Sequence, residues 1–169
     1  MSSTPTPMAE VRCFERGDQS GNNWGVSSAA ALRSYLQDME SAMAIIDGDY
    51  DGDDIDRWEL SGDRQDLIDG PTMARDALED AVAGWALEVV IHESRSLSVN
   101  TECRVLEQVA LLLTCGGPNV TLILDLASGT VRLDRRWWSS RSNAECFHED
   151  AVELMARFVQ YFYHLELDR

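Results

Sequence analysis

Residues 103–126 read CRVLEQVALLLTCGGPNVTLILDL. Two apolar runs, each too short for a buried helix, flank Gly116-Gly117-Pro118-Asn119, a strong turn signal. They predict two strands doubling back on one another. WALEVVIHE (85–93) alternates Trp85, Leu87, Val89 and Ile91 with Ala86, Glu88, Val90 and His92, a period of two that predicts a preceding strand. After VTLILDL (120–126), with Thr121 and Asp125 on one face, ASGT forms a short hairpin turn, and VRLDRRWW (131–138) reads as a fourth strand.

Outside this block the period becomes helical. Leu32, Tyr35, Leu36, Met39, Met43 and Ile46 share one face behind a capping Ser27 or Ser28, which predicts a helix over 28–46. Pro71 opens and Gly84 closes a second helix. Val152, Met155, Val159 and Phe162 predict a third, over 147–163, able to lie across the sheet. VRCF (11–14) reads as a possible short strand and residues 1–10 as a flexible lead. The fold class expected is α+β: a four-stranded antiparallel meander packed by a C-terminal helix, preceded by two helices and a long acidic loop. One domain spans 1–169, with an acidic helical part over 28–84 and the sheet and last helix over 85–169.

That loop is DGDYDGDDIDRWELSGDRQDLID (47–69): nine aspartates and one glutamate against two arginines, with at most one short strand expected, at DRWEL. The whole chain has 30 acids and 14 bases, a net charge of −16, and every base is arginine. Residues 1–84 hold 18 acids and 6 bases and residues 85–169 hold 12 and 8, so the first half carries the field. Such charge repels nucleic acid and anionic membranes and favours a basic partner or a cation. No apolar run approaches the ~20 residues of a membrane span. MSSTPTPMAE lacks the basic-then-apolar pattern of a secretory signal, so a cytoplasmic location with reduced cysteines is expected.

Three readings of the acidic stretch compete. Asp47, Asp49, Asp51 and Gly52 fit the first positions of a calcium loop, but Ile55 and Glu59 arrive one residue late and no exiting helix is expected. A calcium module would use Asp47, Asp49, Asp51 and Glu59. In the second reading, alternate aspartates of an extended segment lie ~6–7 Å apart, close to the phosphate spacing of a single strand. Asp47, Asp49, Asp51, Asp53, Asp54, Asp56, Glu59, Asp63, Asp66, Asp69, Asp76, Glu79 and Asp80 would then contact arginines and lysines of a partner. Tyr50 and Trp58 would serve as aromatic anchors. The third reading, a solvated surface, needs less clustering than is seen.

Other chemistry is thin. Cys13, Cys103, Cys115 and Cys146 form no C-x-x-C pair, and His92, His148 and His164 are scattered. Cys146 and His148 could pair but carry no signature. Trp137 and Trp138 could form a binding surface, but the expectation is one in the core and one over an edge. Without a convergent constellation the chain is expected not to be an enzyme and to need no cofactor, calcium being the alternative.

VLEQVALLLTCGGPNVTLILDL (105–126), a tryptophan at 137 or 138 and ARFVQYFY (156–163) resemble a group of small proteins carried by bacterial phages and mobile elements. In that group a strand runs into a Gly-Gly-Pro turn and straight back, before a tryptophan segment and a helix ending in aromatics. RRWWSSRS (135–142) departs from its tryptophan region. The resemblance supplies no catalytic residues; it implies a setting in mobile DNA. There the acidity is similar in kind to that of antirestriction and anti-CRISPR proteins that imitate nucleic acid. The reading is a non-enzymatic inhibitor of a bacterial defence complex, a CRISPR effector or restriction enzyme. It would act in the host cytoplasm by occupying a basic nucleic-acid-binding surface.

Overall fold

A computed structural model describes residues 4–16, 25–98, 101–114 and 118–167, with the backbone alone at 95–98 and 101–104. In chain order the elements are β1 (Phe14–Arg16), α1 (Ser28–Asp47), α2 (Gly52–Arg57), α3 (Arg64–Asp69), α4 (Pro71–Ala83), β2 (Glu88–Ser98), β3 (Thr101–Thr114), β4 (Asn119–Asp125), β5 (Thr130–Trp137), β6 (Ser140–Cys146) and α5 (Glu149–Tyr163). The strands form one sheet ordered β1-β6-β5-β4-β3-β2, antiparallel throughout.

The α+β class holds, but the four-stranded meander does not: among the described residues the sheet has six strands and five helices accompany it. β6 is SRSNAEC, whose helix-facing positions Ser142, Ala144 and Cys146 are small and buried. No large apolar residue announces it, because α1 lies close: Ser28 and Ser142 share a hydroxyl–hydroxyl hydrogen bond. The buried guanidinium of Arg135 reinforces the contact, donating to Ser28 Oγ at 3.1 Å and to the Val26 carbonyl at 2.9 Å.

The long acidic loop is also overturned. Residues 47–70 fold into two short helices, and there is no strand at DRWEL. The aspartates themselves explain this. Asp51 accepts from the N–H groups of Asp53 and Asp54 at 2.8 and 3.3 Å, and Asp54 reaches back to the Asp51 N–H at 3.1 Å, a closed capping box. Asp63 caps α3 through Gln65 and Asp66. Asp53, Asp54 and Asp66 stand in first turns, where the helix dipole favours negative charge.

One sheet face is apolar. Val109, Leu111, Leu122, Leu124, Val131, Leu133 and Ala144 bury against Leu32, Leu36 and Met39 of α1 and Met155, Phe158 and Val159 of α5. Both helices match the expected apolar stripes. α1 ends at Gly48, whose φ of +79° suits a residue without a Cβ. The helices α2, α3 and α4 form a second tier on α1 and α5. Residues 4–10, expected to be loose, include the buried Met8, whose N–H donates to Glu40 at 3.1 Å; Thr6 N–H donates to Asp150 at 2.8 Å. Gly116 and Gly117 of the Gly-Gly-Pro turn lie outside the described residues, but Thr114 pairs with Val120 across it.

Candidate acidic interaction site

The acids of 47–80 divide by what they touch. Arg157 Nη2 meets both oxygens of Asp47, at 3.1 and 3.0 Å. Asp56 takes Arg64 at 2.9 Å, and that hydrogen bond holds its carboxyl below the usual range. Asp51, Asp54 and Asp63 are caps, Asp69 accepts from Gln65 at 3.0 Å, and Glu79 accepts from Tyr161 at 2.9 Å. Asp49, Asp53, Glu59, Asp66, Asp76 and Asp80 have no hydrogen-bond or ion-pair partner among the described residues, and all are exposed. The outer tier therefore presents free carboxylates on and between short helices, rather than along an extended segment with strand spacing.

Tyr50 and Trp58 turn inward. Tyr50 donates to the Leu67 carbonyl at 2.7 Å, and Trp58 Nε1 donates to the Asp38 carbonyl at 2.9 Å. Trp58 also packs at a tilt against Trp85, with ring centroids 5.6 Å apart, and Trp85 meets Phe158 edge-on at 5.4 Å. They fasten the acidic tier to the core, so their surface contribution is small.

The calcium set is dispersed by its own contacts. Asp47 is taken by Arg157, Asp51 closes a helix, and Asp49 and Glu59 stand free. Glu59 follows α2 with a φ of +49°. Among the described residues no three carboxylate, thiol or imidazole groups are gathered to hold a metal.

Two features were not legible as neighbours. Cys13 and Cys146 lie side by side where β1 meets β6, one register step beyond Phe14↔Glu145, and their thiols hydrogen-bond. The Cys13 S–H donor, the His148 backbone and nearby His148 and Arg33 hold Cys146 down to about 6 against burial, while Cys13 is pushed up. His148 itself caps α5 through Nδ1, 3.3 Å from the Asp150 N–H. The second feature is the β5–β6 turn. Trp137 is 45% exposed and Trp138 94%, so neither is a core residue. A tryptophan pair in the sequence does not reveal that its second member stands at the outermost point of a turn.

Compared with known protein families, curated proteins and solved structures, the chain matches none. No described helix is long and apolar enough to cross a membrane.

Proposed function

We propose that this chain is a binding protein that occupies the basic, nucleic-acid-binding surface of another protein. The target class is a bacterial defence complex, in keeping with the resemblance of the second half to proteins of phages and mobile elements. The carrying observation is the set of unpartnered carboxylates at Asp49, Asp53, Glu59, Asp66, Asp76 and Asp80, all exposed: Asp53 and Asp66 in the first turns of acid-capped helices, Asp49 and Glu59 flanking α2, and Asp76 and Asp80 along α4. Fixed charges need little reordering on docking, and an arginine- or lysine-lined cleft would release its counterions to them. Long-range attraction would speed encounter and weaken with salt.

The test is direct competition. Purified chain is titrated against a guide-loaded CRISPR effector and a restriction enzyme, each holding labelled target DNA. Displacement should occur at low salt and decline as salt rises. A variant with Asp49→Asn, Asp53→Asn, Glu59→Gln, Asp66→Asn, Asp76→Asn and Asp80→Asn should lose it while keeping its melting temperature. Undiminished displacement by that variant would move the interface elsewhere; no displacement from either target by the native chain would remove the defence reading.

A further inference from the structure

We propose that the β5–β6 turn of one copy docks into a groove of a second copy, joining copies tip to groove. The turn carries three costs. Trp138 has a φ of +55° at the first of two turn residues, a place that favours glycine. Its ring is 94% exposed, so packing does not offset the strain. Arg136 and Arg141 face one another across β5 and β6, both exposed, and like charges directly opposed destabilise a sheet. Neither has a carboxylate partner among the described residues. Strain and exposed aromatic surface held together in this way point to a contact outside the chain.

The complementary surface lies at the other end of the molecule. A groove of about 430 Å³ runs between the N-terminal segment, α1 and α5, and is floored by Met8, Met43 and Leu154. Asp49 and Glu153 stand on its wall with no partner among the described residues. The volume lies in the range of ~300–1,000 Å³ typical of pockets that enclose small molecules. An apolar floor with an acidic wall matches an aromatic tip with a cationic base.

Position requires the second copy. α1 leaves the β5–β6 end at Ser28, beside Ser142, passes the Val11 carbonyl at Arg33 and Met8 at Glu40, and ends at Asp47 on the groove. That helix is roughly 30 Å long, so a tip cannot reach its own groove. The contact joins different patches and propagates head to tail. It also sets the Arg136–Arg141 pair of one copy against Asp49 and Glu153 of the next. At physiological salt the remaining charges are screened beyond ~8 Å.

Light scattering and sedimentation of the full chain over a concentration series test this. The native chain should rise above monomer mass as concentration increases. Trp138→Gly, which relieves the strained φ, should stay monomeric with an unchanged or higher melting temperature. The charge reversal Asp49→Arg with Glu153→Arg should also stay monomeric. Mixed one to one, the two variants should form a dimer and stop there, because only one tip and one groove remain. A native chain that stays monomeric at every concentration overturns the proposal, as does a Trp138→Gly chain that associates like the native one. Binding of a phosphatidylglycerol vesicle or a single-stranded oligonucleotide, lost in Trp138→Gly without any self-association, would also overturn it and reassign the tip.

Discussion

Asp38 holds the end of α2 twice: its main-chain oxygen accepts from Trp58 Nε1 at 2.9 Å, and its carboxylate takes Arg57 Nε at 2.7 Å. The acidic tier is thereby fastened to α1. Trp58→Phe keeps most of the ring and loses the hydrogen bond, so urea unfolding should give a loss of ~1 kcal/mol. Trp58→Ala also removes the tilted ring contact with Trp85 and should lose ~3–5 kcal/mol.

Acids that cap helices and acids that stand free should respond in opposite directions. Asp51→Ala removes the acceptor of two N–H groups and should cost ~1 kcal/mol, and Asp63→Ala should do the same at α3. Asp76→Asn and Asp80→Asn lose no contact and relieve repulsion in a chain of net charge −16, so both should be neutral or slightly stabilising. Thermal unfolding at low salt separates the two groups.

The thiol pair makes stability depend on pH. With Cys146 depressed to about 6 and Cys13 raised, the folded pair holds one proton between about pH 6 and the ordinary thiol value near 9, where the unfolded pair holds two. The unfolded state binds more protons, so stability rises with pH across that window, by at most ~1.4 kcal/mol per pH unit. Above it the unfolded pair loses both protons and the trend reverses. Cys13→Ala removes the S–H donor and should flatten the rise, as followed by urea midpoints at pH 6, 7 and 8.

Tyr163 buries its hydroxyl without a partner among the described residues, and burial pushes its phenol up to about 12. Tyr163→Phe deletes a desolvated group and little else. Its unfolding free energy should equal or exceed the native value by ~0–1 kcal/mol.

The legible parts of the fold were those with long periods. α1 and α5 show their apolar stripes, and β3 and β4 are dense in branched and apolar residues on both sides of a turn. What stayed hidden was short or depended on distant partners. α2 and α3 have six residues each, too few to show a period, and their capping aspartates read as mere charge. β6 buries no large apolar residue: Ser142, Ala144 and Cys146 lie beneath a close helix. For the candidate site, the concentration of acids over 47–80 was plain, but which acids are spoken for by Arg157, Arg64 and the caps depends on tertiary placement. Trp58 and Tyr50 looked like anchors because their acceptors, the carbonyls of Asp38 and Leu67, are invisible in one dimension.

The order β1-β6-β5-β4-β3-β2 places the first strand against the last. During synthesis, Phe14–Arg16 therefore has no strand to join until Ser140–Cys146 has left the ribosome. The hairpins from β2 to β5 can assemble as they emerge, each on its neighbour. The first strand must wait while every intervening strand and helix is made. A nascent chain stalled before residue 140 would carry an open β5 edge and an unpaired first strand at once, which makes that stage the one most open to mispairing.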